Sequence, residues 1–248
     1  MELLSVFVSH IGPLACLLVA AFIQSVTGFG LVIVAAPLLM FFYPAKLVVL
    51  MVLLLALAGN FLQILLVRRD ADFKTVLWIL AGAVAGDPLG WLVYDSLNSD
   101  ELKVLISIAL LVILLGMRFF KVKLSICPRN SVICGLISGF LVMTTGMGGP
   151  PLLIYFAFAT YTPVQMRATL VSYFLLLNIA SLGMFMALGT PLAEPACEAA
   201  WLLPALFLGI ALGNNLIKYI PAKTFHLIVV FMLIGICVFS IVSYLLKV

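Results

Sequence analysis

The chain is predicted to be an all-α, polytopic membrane protein. It reads as two inverted repeats, each a broken or re-entrant helix pair followed by three transmembrane helices. Three observations lead there. Hydrophobic residues fill 66% of the 248 positions and charged residues 9%, against about 25% charged in ordinary soluble domains. Apolar runs near or above membrane length recur along the whole chain, the mark of membrane helices. Two of these regions are interrupted by glycine, threonine and proline at corresponding places in the two halves. With 13 Lys+Arg and 9 Asp+Glu, the chain cannot clothe a soluble globule of this size. A cytosolic enzyme, a nucleic-acid binder and a disulfide-stapled secreted domain are excluded. Five cysteines show no CxxC and no metal-ligand spacing, so they read as small apolar fillers.

In chain order, residues 3–43 are apolar but broken at Thr27-Gly28-Phe29-Gly30. Residues 1–9 carry Glu2 and no Lys or Arg, unlike a signal peptide, so this region is expected to belong to the mature fold. Full spans are expected at 46–67, 73–94 and 101–119. A second broken region, 131–161, is interrupted from Thr144 to Pro151. Each of its arms is about 13–15 residues, roughly 20 Å of helix, short of the ~30 Å hydrocarbon core. Further spans are expected at 168–188, 200–217 and 224–246.

Charge placement decides how often the broken regions cross. Loops 68–74 and 118–130 are rich in Lys and Arg and are expected in the cytoplasm. Loop 95–103 carries Asp95, Asp100 and Glu101 and suits the outside. If region 131–161 goes in and comes back, Arg167, Lys218 and Lys223 also lie inside, and a 189–199 loop with Glu194 and Glu198 lies outside. Ten Lys/Arg are then inside and three (Lys46, Lys103, Lys247) outside, of the 13 in the chain.

The halves align. At an offset of 118, Phe22 falls on Phe140, Thr27 on Thr145, Gly28 on Gly146, Gly30 on Gly148 and Asn60 on Asn178. At an offset of 123, Gly86 falls on Gly209 and Gly90 on Gly213. Residues 1–123 are therefore read as the first repeat of a single membrane domain and 124–248 as the second. One broken pair plus three spans is an odd number of crossings, so the second repeat is inverted. Inverted repeats with discontinuous helices are a transporter signature, and the breaks point at the substrate.

A broken helix leaves unpaired N–H groups that need a partner in hydrocarbon. A small anion suits them, because helix N-termini carry partial positive charge. The candidate binding residues are Gln24, Ser25, Thr27, Gly28, Phe29 and Gly30 at the first break. At the second they are Thr144, Thr145, Gly146, Met147, Gly148 and Gly149. The threonines offer hydroxyl donors, and Pro150-Pro151 opens the last arm where missing N–H groups do least harm. The alternative reading is that the glycines only permit close helix packing. Asn60 and Asn178, each mid-span after a break, join the candidates, although a buried amide can equally bridge helices. Lys46 and Arg167 precede them by near-whole helical turns and could attract anions or anchor the interface by snorkelling. Asp87, the only acid well inside a span, is a candidate carrier of a coupling proton or cation, with structural pairing the alternative. No catalytic or metal-ligating set such as HExxH or GxSxG occurs.

Two segments resemble a known family. Residues 22–30, Phe-Ile-Gln-Ser-Val-Thr-Gly-Phe-Gly, followed by the Pro37 arm, are similar to the first glycine motif of the sulfite exporter TauE/SafE family. Residues 138–151, Ser-Gly-Phe-Leu-Val-Met-Thr-Thr-Gly-Met-Gly-Gly-Pro-Pro, resemble its second. The resemblance covers nearly the full chain. It implies a multi-pass permease of the bacterial cytoplasmic (inner) membrane, linked to export of sulfite or organosulfonates. It also implies about eight spans, where the charge argument counts six and two broken pairs. The expected function is thus secondary transport of a small sulfur-containing anion by alternating access, not enzymatic catalysis. A passive anion channel is the alternative. No cofactor and no nucleic acid are expected. The expected partners are the anion and the lipid bilayer, with a proton as candidate coupling ion and a homodimer as candidate assembly.

Overall fold

A computed structural model describes residues 2–27, 31–119, 126–156 and 161–216. Helices account for nearly all of them, and no strand occurs among the described residues. Helices α1 (Glu2–Thr27) and α2 (Leu31–Leu39) flank the first break. Then come α3 (Ala45–Val67), α4 (Phe73–Ser96) and α5 (Ser99–Phe119). Helices α6 (Pro128–Thr145) and α7 (Gly149–Phe156) flank the second break, and α8 (Pro163–Ala187) and α9 (Ala193–Leu216) follow. The expected span 224–246 lies outside the described residues, as do Gly28, Phe29 and Gly30.

Among the described residues, four helices are long and apolar enough to cross a membrane: Ala45–Leu65, Phe73–Ser96, Val164–Ala187 and Ala193–Gly213. Of these, α3 and α8 are the most buried and form the centre of the bundle. The expected spans 168–188 and 200–217 start too late. Helix α8 begins at Pro163 because Thr162 and Gln165 form a capping box: the Thr162 side chain accepts from the Gln165 N–H, and the Gln165 side chain from the Thr162 N–H. Helix α9 begins at Ala193, which moves Glu194 and Glu198 from the expected loop into its first turns. An acid in a first turn suits the positive end of the helix.

Helix α4 packs on α6, and α1 on α9, at backbone distance. The reason is glycine. A Cβ added at Gly82 or Gly86 on α4 would run into the carbonyl of Val132 or Leu136 on α6. One at Gly90 would lie 2.5 Å from the Phe140 carbonyl oxygen. Gly135 and Gly139 on α6 face the Ile79 and Ala83 carbonyls in return. On the other side, a Cβ at Gly209 would sit 2.6 Å from the Leu18 carbonyl oxygen, and one at Gly213 2.9 Å from that of Phe22. Small-residue seams of this kind let membrane helices pack closely where no hydrophobic force drives them together.

Side-chain bonds define two ends. At one, Tyr43 and His10 both reach Glu198, Lys46 reaches the Asp95 carbonyl and Lys103 that of Met40. At the other, the Asp72 N–H donates to Thr169 Oγ1 at 3.1 Å and the Tyr161 hydroxyl to the Asp72 carboxylate. The first is called the outer end below and the second the inner, after the charge pattern of the sequence. Helices α6 and α7 return to the same end, because Ser131 near the start of α6 meets Tyr155 near the end of α7 at 2.7 Å.

Candidate functional site

The second break and the helices flanking the first line a central cavity of about 50 Å³. Gln24 on α1 and Leu31, Val32 and Ile33 on α2 line one side. Val142 on α6 and the segment Gly146, Met147, Gly148 and Gly149 line the other. The central helices close the remainder with Ala56 and Asn60 on α3 and Val171, Phe174 and Asn178 on α8. One water needs roughly 10–15 Å³ on such a measure, so the space suits a body of a few heavy atoms.

Three carboxamides project into this apolar lining. Gln24, Asn60 and Asn178 are each 5% exposed or less. The Gln24 Oε1 and Asn178 Nδ2 atoms are buried with no hydrogen-bond partner among the described residues. Buried polar atoms are nearly always paired, so these two atoms are open to a further polar partner. An amide can turn over to present its N–H₂ group.

The second break is held by a relay of side chains. Gly146 ends α6 in the left-handed region (φ 75°), which glycine adopts without a Cβ penalty. Its N–H donates to the Val142 carbonyl at 2.8 Å. Buried Ser138 donates to the Gly148 carbonyl at 2.6 Å and accepts from the Tyr173 hydroxyl at 2.9 Å. The Met147 N–H donates to Thr145 Oγ1 at 3.2 Å. Pro150 and Pro151 carry no N–H, so the first turn of α7 offers the Gly148 and Gly149 N–H groups as its donors.

The expected site residues therefore divide. Gln24, Asn60, Gly146, Met147, Gly148, Gly149 and Asn178 come together at the cavity. Thr144, Thr145 and Ser25 do not line it. Thr144 and Thr145 donate to the Phe140 and Leu141 carbonyls, both at 2.7 Å, and Ser25 donates to the Phe22 carbonyl at 2.7 Å. Each hydroxyl thus bonds back to its own helix, a common outcome for Ser and Thr in helices. Gly28, Phe29, Gly30 and the Thr27 side chain lie outside the described residues.

The charged candidates stand apart from the cavity. Lys46 lines an outer vestibule of about 450 Å³ with Trp91, Tyr94, Asp95, Thr190 and Glu194. Asp87 is buried on α4, where Ser181 Oγ donates to its Oδ2 at 2.9 Å. Its Oδ1 has no partner among the described residues. Arg167 donates from Nη2 to Gln63 Oε1 at 3.2 Å. Gln63 and Ser181 lie three positions after Asn60 and Asn178 respectively. One turn beyond each cavity Asn there is thus a cation on the inner side and an acid on the outer.

Tyrosine hydroxyls meet carboxylates at the two ends. Burial, then the bond to Glu198, pushes the Tyr43 hydroxyl up from its ordinary value. Burial and the bond to Asp72 push Tyr161 up to about 12. Sequence reading missed Ser138, Tyr173, Ala56, Val171 and Phe174. The last three carried a signal, since Ala56 precedes Asn60, and Phe174 and Val171 precede Asn178, by one or two helical turns. Among the described residues no group of His, Cys, Asp and Glu is placed to hold a metal ion.

A family model described as Sulfite exporter TauE/SafE matches residues 14–240. No curated protein and no solved structure matches the chain.

Proposed function

The chain belongs to the sulfite exporter TauE/SafE family of multi-pass membrane transporters, and from that premise we propose that it is a secondary transporter of a small sulfur-containing anion. The anion is sulfite or a compact organosulfonate, exported across the bacterial inner membrane. The observation that carries this reading is the cavity shared by the second break and the helices flanking the first, lined by buried amides with atoms unpartnered among the described residues. Its size favours an oxyanion of a few heavy atoms. Gly148 and Gly149 N–H groups and the Asn178 amide are the donors in this reading, and apolar walls strengthen each bond by excluding water.

Two inverted repeats, 1–123 and 124–248, are part of the same proposal. Two helix seams support it. Gly86 faces the Leu136 carbonyl and Gly209 that of Leu18; Gly90 faces the Phe140 carbonyl and Gly213 that of Phe22. The acceptors differ by 118 positions and the glycines by 123, the two offsets at which the halves align. A repeat pair rocking about this shared cavity would expose it alternately to the two faces.

The chain has no GxxxxGK[ST] segment for a nucleotide, so the energy would come from an ion gradient, the membrane potential or the substrate gradient. The test is flux of sulfite, sulfate, sulfoacetate and thiosulfate into proteoliposomes holding the full chain, with and without a pH gradient. Saturable counterflow of sulfite supports the proposal. A steady, non-saturating conductance would make the protein a channel.

A further inference from the structure

Gln63 and Arg167 meet on the inner side of the cavity, outside the residues that line it. Gln63 follows Asn60 by three positions on α3 and is 3% exposed. It stands one helical turn closer to the inner end, on the same side of the helix. The 3.2 Å bond from Arg167 Nη2 to Gln63 Oε1 sets the orientation of the amide, because a guanidinium donates and cannot accept. The Gln63 Nε2 group then faces elsewhere, buried and without a hydrogen-bond partner among the described residues. Arg167 Nε is in the same condition. No carboxylate is paired with Arg167 among the described residues.

Two buried donors on bonded side chains, one of them cationic, call for an acceptor that the described residues do not supply. A guanidinium suits an oxyanion because it is planar, weakly hydrated and able to bond two oxygens at once. Resting on the transport reading above, we propose that Arg167 and Gln63 form a second anion subsite, which holds a small oxyanion between the inner end and the central cavity. Arg167 Nε and Gln63 Nε2 are its donors. On the outer side the corresponding position, Ser181, serves the acid Asp87. The subsite therefore lies on the inner side of the cavity, with no counterpart at Ser181.

The test is calorimetric titration of the purified full-length protein with sulfite and, separately, sulfate. The wild type should bind two anions per chain. Arg167→Gln and Gln63→Leu should each lose one of them, weakened about 10- to 100-fold for one charge-assisted bond lost, and keep the other. Asn178→Leu should do the reverse. Arg167→Lys, which keeps the charge and loses the planar donor pair, should restore less than half of the loss in logarithmic terms. Two unchanged affinities in both Arg167→Gln and Gln63→Leu overturn the subsite and leave the central site standing. Affinities that fall only in step with thermal stability do the same. Two sites in Asn178→Leu but one in Arg167→Gln would instead remove the central cavity and keep the subsite. A wild type that binds neither anion overturns both.

Discussion

Ser131 and Tyr155 share a 2.7 Å hydrogen bond across the mouth of the second broken pair. The start of α6 and the end of α7 therefore lie side by side, and the pair goes in and comes back. With that geometry the loops 68–74 and 161–162 share one end and Glu194 lies at the other. In a cysteine-free background, a cysteine at position 69 should react with an impermeant maleimide only from the cytoplasmic side, and one at 194 only from outside. The reverse pattern would invert the topology.

The glycines of the second break should not behave alike. Gly146 is in the left-handed region, and a Cβ there would lie 2.9 Å from Val52 Cγ2. Gly146→Ala should cost about 1–3 kcal/mol of stability. At Gly149 a Cβ would meet only Phe174 Cζ, at 3.8 Å. Gly149→Ala keeps its N–H and should fold normally, but its methyl group at the cavity lining should push the anion off that donor and weaken binding about tenfold or more, since one charge-assisted bond is worth about 1.5–3 kcal/mol. Melting curves and binding isotherms of the two purified variants decide. Equal losses of stability in both would reduce the break to a packing feature.

The seam between α4 and α6 predicts a purely structural failure. Gly86→Ala pushes a methyl group into the Leu136 backbone. Overpacking of this kind costs about 1–3 kcal/mol or more. Gly183 has nothing within 4 Å of the added Cβ, so Gly183→Ala should be neutral or slightly stabilising, by up to about 1 kcal/mol. Comparable melting temperatures for the two variants would show that the seam is looser than described.

Asp72 gives a pH dependence with a definite sign. Burial alone would raise its carboxyl, but bonds from Tyr161, Thr75 and Lys74 outweigh that and hold it below its ordinary value. A carboxylate with a depressed folded value contributes stability above its unfolded value, and loses it as pH falls through the folded one. Asn caps a helix about as well as Asp, but it lacks the second oxygen that accepts from Thr75 and Tyr161, so the pH-dependent part of the difference reports the charge. The wild type should melt above Asp72→Asn at neutral pH, and the gap should narrow below about pH 4. A gap that persists unchanged at lower pH would mean the contribution is not electrostatic.

Asp87 is the candidate coupling residue. It is 1% exposed and receives one bond among the described residues, from Ser181, little support for a permanent negative charge inside a membrane. Asp87→Asn should abolish acceleration of anion flux by a pH gradient and leave counterflow intact. Gradient-driven flux that survives in the variant would confine Asp87 to a structural role.

Much of the cavity lining was legible because chemistry that is rare in hydrocarbon stands out. A buried Asn, a Gly-x-Gly break or a lone carboxylate has few bland reasons to sit in an apolar run, so Gln24, Asn60, Asn178 and the 146–149 segment could be found from spacing alone. Thr144 and Thr145 looked the same in sequence and turned inward, because a helix carbonyl four residues back is always within reach of a hydroxyl. Nothing local marks Ser138 and Tyr173 as partners, since a contact across 35 positions depends on how α6 and α8 cross.

By itself the sequence determined that this is a helical membrane protein with two interrupted regions. Hydrophobic length and scarcity of charge have no other solution in a bilayer, where backbone groups must bond within their own segment. It also placed the glycines at those interruptions and an Asn in the span after each. Only the tertiary structure decided which of them share a cavity, which glycines are seams between helices, and where Arg167 and Asp87 find partners. Those are contacts between segments far apart in the chain. They depend on crossing geometry and close backbone approach, which no local pattern of residues encodes.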